Sequence, residues 1–461
     1  MSPAVRRRVA LAGSVVGAVL VALDGTVLTV AQPALQADLD ASLTQVQWTS
    51  TGYLIAVASL LVFAGRLGDR YGHARLFGYG MLGFAAASAG ICLAPDIRWV
   101  IGLRVAQGVC GALLQPATLG MLRAAYAADS LGMPIALRTS AIGVAAAAGP
   151  LVGGALTTQL GWRSVFFLGV LPAVVIAALV LAVRDRTAPL GPRTVGLDPG
   201  GALLLAMSLG CLVAALAGLA GAGGTAGTAL FAAGTAAAAT GFVAHERRTA
   251  DPLLPPGLLA SPAVAPALVI LLTASAALFG TLFTATYFLQ DVLGLDPLGT
   301  ALRMLPAALC MVLAAPLTPA LLRRCGTRAT TSAGMLLLAA GVFGFGRLDT
   351  SATQLAVEAC ALAMGTGFGT VMVAATESLV RRADLGTAGV AGGLQQTAMN
   401  VGPTLGVALA TTLLASGAHF VASMGVTLTA LAVLLLIACA AAVRLPARTA
   451  RGVTRARTTS T

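Results

Sequence analysis

Lysine is absent from all 461 residues, and charged side chains of every kind make up only 10% of the chain. Without lysine there is no Walker A lysine, and no polar stretch is long enough to fold as a nucleotide-binding domain. ATP hydrolysis is therefore excluded, and any work the chain does must draw on an ion gradient or the membrane potential. Histidine is scarce too: His73, His245 and His419 all lie between apolar runs, and no two acids share a probable site, which argues against a metal centre, a bound cofactor or a membrane enzyme. The seven cysteines, Cys92, Cys110, Cys211, Cys310, Cys325, Cys360 and Cys439, stand singly with no C-x-x-C, so they read as packing residues rather than a disulfide or metal framework. The net charge of +12 rests on arginines spread in twos and threes. That pattern marks membrane topology and does not suit nucleic acid.

What the chain has in quantity is apolar surface, 58% of its residues, which places it among multi-pass membrane proteins. Runs long enough to cross a bilayer fall near 9–30, 47–65, 76–94, 99–120, 137–160 and 164–183, and a second six near 264–289, 302–322, 329–346, 353–377, 388–415 and 421–443. Between them, polar segments at 184–196 and 245–257 flank an Ala/Gly-rich pair, 198–218 and 224–244, turning at Gly221 to Gly224. If that pair crosses, the chain has fourteen spans; if not, twelve. The expected division is a six-helix bundle over 1–183, a linker with two extra helices over 184–262, a second six-helix bundle over 263–443 and a basic tail over 444–461. Arg6-Arg7-Arg8 before an apolar run resembles the start of a cleavable signal, but the run continues past Asp24 to Val30 without a convincing cleavage site. With the N-terminus inside, twenty-three of the 28 arginines fall in cytoplasmic segments, Arg66, Arg70, Arg75 and Arg138 among them, which sets both termini in the cytoplasm.

Three features stand out within the spans. Ala141 to Leu156 is apolar yet holds Gly143, Gly149, Pro150, Gly153 and Gly154. Gly149 and Gly153 share a helical face that another backbone can approach closely, and Pro150 removes a hydrogen bond, so a bent helix at a seam between moving parts is expected. The loop at 65–80 places Gly65, Gly68 and Gly72 for a tight reversal, with Asp69 as the one acid among Arg66, Arg70 and Arg75. Ionisable residues inside spans are costly and hence functional candidates: Asp24 at mid-depth, Arg104 in the fourth span, and Glu358 a few residues into the twelfth. Tyr53, Tyr287, Gln290, Gln395, Gln396 and Asn400 are candidates to line a wet cavity, with polar helix packing as the other reading.

GRLGDRYGHAR (65–75) resembles the G-x-L-x-D-R-x-G-R-[KR] loop of the major facilitator superfamily, with His73 and Ala74 standing where basic residues are usual. LDGTVLTVAQPAL (23–35), QWTSTGYLIAVASL (47–60), IGLRVAQGVCGALLQPA (101–117) and GPLVGG followed by GWRSVFFLGVLP (161–172) resemble the drug:proton antiporter branch. TYFLQDVLGLDPLGTALRMLP (286–306) resembles its fourteen-span members. LLRRCGTRATTSAGM (321–335) repeats the position of the first loop without its acid. The resemblance implies an all-α fold of two six-helix bundles plus two central helices, and proton-coupled efflux of antibiotics or other small lipophilic compounds from a bacterial inner membrane. It also implies a monomer, with Asp24 and Arg104 in proton coupling. A major facilitator importer or lipid exporter is the rival. By the family pattern the glycine-faced helix meets the span 302–322, and the Tyr53 span meets 388–415.

Overall fold

The structure is a computed structural model that describes residues 3–41, 43–183, 198–218, 225–249, 252–254, 261, 264–295, 297–382, 388–415 and 420–442. The Gly221 to Gly224 turn, the segment 184–197 and the C-terminal tail lie outside the described residues. Within them the chain is helical. In order come α1 (Pro3–Asp38), α2 (Leu43–Tyr71), α3 (His73–Cys92), α4 (Ile97–Ala125), α5 (Gly132–Leu160), the short α6 (Arg163–Phe167) and α7 (Val170–Val183). Then follow α8 (Pro199–Ala217), α9 (Thr225–Glu246), α10 (Val264–Tyr287), α11 (Pro297–Phe345), α12 (Gln354–Arg382), α13 (Ala388–Ala415) and α14 (Phe420–Ala442).

Eleven of the described helices are long and apolar enough to cross a membrane, twelve with α5, whose arms meet at 43° across Pro150 as a missing i→i−4 hydrogen bond requires. Helix ends follow local chemistry. The Asp96 carboxylate accepts from the Arg98 and Trp99 amides at 2.8 and 3.1 Å to start α4, and Asp198 accepts from Gly201 at 3.0 Å ahead of Pro199 to start α8. Gly72, at φ 93°, separates α2 from α3 in a conformation that side chains avoid.

Two expected boundaries shift, while 302–322 and 329–346 stay separate arms of α11, the chain turning between them at Gly326 where φ is 81°. The span 164–183 is broken into α6 and α7. Most consequentially, α5 begins at Gly132 rather than near 137, because Pro134 is tolerated in a first turn where its missing N–H has no partner to lose. Arg138 therefore belongs to the second turn of a span and is buried, not a loop arginine as the count along the sequence has it.

The first bundle packs around Phe77, Met81 and Ala177 and around Val27, Leu28 and Phe166. The second packs around Ile270, Phe288, Phe345 and Leu379. On α11, Leu305, Leu309, Leu313, Leu317 and Leu321 are all exposed at a spacing of four, a continuous apolar stripe that only a lipid environment makes tolerable. The bundles meet where α2 and α4 pack on α13 and where α5 packs on the first arm of α11, the pairing the family pattern implies.

Candidate functional site: a buried acid and a central cavity

Asp24 and Arg104 form a direct ion pair, Nη1 to Oδ2 at 2.6 Å, with side chains 9% and 2% exposed. The arrangement around it is closed. Arg104 also donates from Nε to the Thr49 carbonyl at 3.0 Å and from Nη1 to Gln107 Oε1 at 2.6 Å. Gln107 donates to Asp24 Oδ1 at 3.1 Å and to Ser88 Oγ at 2.8 Å. Spacing on α4 explains the grouping, since Arg104 and Gln107 are three residues apart on one face. The guanidinium lies over the Tyr53 ring, 4.3 Å from its centre, with Phe166 at 5.9 Å. Both carboxylate oxygens and the Nε and Nη1 groups of the guanidinium are thus bonded, which is what makes two charges tolerable at this depth.

A cavity of about 320 Å³ lies between the bundles. Its polar lining is Gln115, Thr118, Arg138, Gln396, Asn400 and Thr404; Phe279, Met372 and Met399 contribute apolar wall, and Tyr53 closes one side. Gln396 donates to Gln115 Oε1 at 2.5 Å, bridging α13 and α4.

Asp24 does not face this cavity. Ala18, Val21, Ala22 and Gly25 line it, whereas Leu20, Leu23, Asp24 and Val27 line a separate pocket of about 30 Å³ against Phe84, Ser88 and Phe166. The second set is the first moved on by two residues, which is 200° around a helix, so the two sets occupy opposite faces of α1. Asp24 and Arg104 therefore bond directly and do not face each other across the cavity. Tyr53 is the side chain that touches both places.

Of the residues suggested for the cavity, Tyr53, Gln396 and Asn400 line it. Glu358 does not: it sits at the start of the second turn of α12, where Gln354 donates to it at 2.6 Å at the surface. Tyr287, 45% exposed, stacks on Phe283 at the end of α10, and Gln290 lies in the π turn that follows, both outside the lining. Gln395, fully buried on α13, faces away from the cavity. Arg138, Gln115, Thr118 and Thr404 are polar cavity residues that sequence reading missed, and for Arg138, Pro134 was the signal that could have found it.

The glycines divide between two contacts. A Cβ on Gly143 would strike Met311 and Val312 of α11, close to where Ser140 donates to the Val312 carbonyl at 2.8 Å. A Cβ on Gly149 would strike Thr26, and one on Gly153 would lie 2.8 Å from Val27. The Gly149 and Gly153 face therefore packs on α1 of its own bundle, and only the Gly143 turn lies on the seam. Gly154 lies next to that face, and its carbonyl accepts from Thr158 at 2.8 Å.

The loop expected at 65–80 is helical except at Gly72, and Asp69, in the last turn of α2, accepts from the Gly389 and Val390 amides at 2.8 and 3.2 Å, capping α13 of the other bundle. Gly65 meets Gly389 backbone to backbone. His73 lies 3.2 Å from Asp69 in a slot where a Cβ on Gly68, Gly120 or Gly389 would collide with its ring. The imidazole at this position is thus a packing element. Arg66 donates to the Leu253 carbonyl at 2.9 Å, tying the end of α2 to the segment after α9, and Arg70 lies over the Tyr71 ring.

The sequence profile of the Major Facilitator Superfamily matches residues 15–407. The chain is 38% identical over 404 residues to the tetracenomycin C resistance and export protein of Streptomyces glaucescens, covering 87% of this chain and 74% of that one. It is 33% identical over 398 residues to a puromycin resistance protein of Streptomyces alboniger, covering 85% and 79%. The structure of the human organic anion transporter MFSD10 matches with a TM-score of 0.68 at 14% identity, over 96% of this chain and 100% of that one, a likeness of fold alone.

Proposed function

The chain belongs to the major facilitator superfamily, a transporter and not an enzyme, and on that premise we propose that it exports antibiotics or similar lipophilic compounds from a bacterial cell in exchange for protons. The substrate occupies the central cavity. The proton occupies Asp24. What carries this reading is the Asp24–Arg104–Gln107 cluster, the one buried acid–arginine pair among the described residues, placed behind Tyr53. A proton on Asp24 removes half of the ion pair, frees Arg104 to move, and so disturbs the Tyr53 ring that walls the cavity. Proton and substrate thus act on one side chain from opposite faces of α1, and neither needs to displace the other directly.

The contacts at the arginine-rich ends of the helices support a form closed on that side: Asp69 on α13, Ser140 on α11, and Arg381 on Asp129. The arginine distribution supports cytoplasmic termini, so the cavity would open outward. On this reading the bundles are 1–183 and 263–443, the linker 184–262 supplies two further spans to make fourteen, 444–461 is a cytoplasmic tail, and a single chain suffices. Gly65, Gly68, Asp69, Arg70 and Gly72 form the cytoplasmic clasp, and Gly143, Gly149, Pro150, Gly153 and Gly154 shape the helix that moves against α11.

Everted vesicles supplied with an inward-acid pH difference test it. They should concentrate tetracenomycin C, the compound named for one relative, and the Asp24→Asn protein should lose this uphill uptake while keeping downhill exchange. Uphill uptake by Asp24→Asn under the same pH difference would remove Asp24 from the coupling role.

A further inference from the structure

Arg138 is 2% exposed, lines the central cavity, and has no hydrogen-bond or ion-pair partner among the described residues; its Nε is buried and unbonded. The contrast with Arg104 is direct. Arg104 has a carboxylate, a carbonyl, an amide oxygen and an aromatic face, while Arg138 has none of these. A guanidinium stays protonated under all physiological conditions, so the charge cannot be discarded by titration. A fixed charge held out of water without an anion is unfavourable unless something else supplies the anion. No aspartate or glutamate lines the cavity, and its other polar groups, Gln115, Thr118, Gln396, Asn400 and Thr404, are neutral.

We propose that Arg138 is the charge-selecting residue of the cavity and that the exported compounds are apolar, ring-containing organic anions whose acidic oxygen, a carboxylate, phenolate or enolate, pairs with its guanidinium. This rests on the exporter reading and narrows it. The apolar walls, Phe279, Met372 and Met399, accept the ring system, and the guanidinium offers two parallel donors to the oxygen. A cation brought to the same place meets a bare positive charge with no acid to offset it. Because the interior of a cell is negative, outward movement of an anion is favoured by the membrane potential as well as by the proton gradient.

The test uses three probes on one ring: 9-anthracenecarboxylate, its neutral carboxamide, and 9-(aminomethyl)anthracene as the ammonium. Binding to the purified full-length protein is followed by fluorescence. The wild type should bind the carboxylate at least tenfold more tightly than the amide, and the ammonium weakest. Arg138→Gln should bring carboxylate and amide within twofold, and Arg138→Lys should keep the order. Without ligand, Arg138→Gln and Arg138→Met should unfold at the same or a higher temperature than wild type, since they remove an unpaired buried charge. The carboxylate should raise the unfolding temperature of wild type only. A lowered ligand-free temperature in both variants would show a structural arginine and overturn the proposal. So would an anion preference that survives Arg138→Gln, or binding of none of the probes. Uptake into everted vesicles separates the two readings. Uphill transport of the ammonium equal in wild type and Arg138→Gln leaves the exporter standing and sinks the anion site, whereas anion-selective binding with no proton-driven uptake of any probe does the reverse.

Discussion

At the scale of single residues, the Asp24–Arg104 pair is the feature whose removal has the most calculable effect. Breaking a buried ion pair from one side leaves the other charge uncompensated, a loss of about 3–5 kcal/mol in comparable settings. Asp24→Asn and Arg104→Gln should each lower the unfolding temperature in detergent, and the double variant should lose less than the two losses combined. Additive losses would mean that the 2.6 Å contact contributes nothing as a pair. Asp24 was legible in the sequence because an acid in the middle of an apolar run has no route to water. Its face of the helix was not legible, since small residues occur all around α1 and only the structure sets Ala18, Val21, Ala22 and Gly25 on the cavity with Asp24 opposite. Glu358, Tyr287 and Gln290 were misread because polar residues near helix ends can reach the surface without lining anything, and sequence position does not separate the two cases.

At the scale of elements, the contacts between bundles depend on bare backbone. Gly65 and Gly389 touch directly, and Gly389 also borders His73 and Asp69. Gly389→Val should therefore break the Asp69 cap and force α2 away from α13. Transport should fall at least tenfold while probe binding from the outer side is kept; unchanged turnover would show that the two helices already stand apart during the cycle. At the C-terminal end of α1 a different device holds the helix. Asp38 accepts from the Trp162 indole at 2.9 Å and from Arg163 at 2.5 Å. The indole first, and then Arg163, hold its carboxyl below the ordinary value of 3.8. A depressed carboxyl keeps its stabilising contacts above the unfolded value and loses them only as pH falls through the lowered one. Asp38→Ala should accordingly reduce the unfolding temperature by the same amount at pH 5 and pH 7.5, so the acid that drives the pump does not loosen this end of the helix. An effect confined to the higher pH would contradict this. The bend of α5 was readable from Pro150, but the partner of its glycine face was not, because spacing shows that a backbone approaches and not which one.

At the scale of the whole molecule, the all-helical, membrane-spanning fold was legible from hydrophobic length, since that length is dictated by the bilayer and not by tertiary detail. The turn between 302–322 and 329–346 was legible as well, because Arg323, Arg324, Thr327 and Arg328 interrupt the apolar run around Gly326, where the chain reverses. Topology and clasp can be tested together on a cysteine-free background. Single cysteines at Ser351 and Leu160 should react with an impermeant maleimide in intact cells, while one at Asp129 should react only in everted vesicles. Asp69→Asn should then raise the reactivity of position 129 several-fold, as expected when a contact of about 0.3–1 kcal/mol or more is lost from a balanced equilibrium, and labelling at 129 from outside would invert the topology. Gly72 and Gly326, at φ 93° and 81°, reverse the chain at corresponding places in the two bundles, yet Leu321 to Cys325 carries two arginines and no acid where the first loop carries Asp69. The duplication has kept a dihedral angle and lost a side chain. If Asp69 closes one end state as proposed, the dwell times of the two end states should be tunable independently by mutation: substitutions around Asp69 should change the dwell of the state it closes, while the second elbow is left free to drift in sequence as long as its glycine stays.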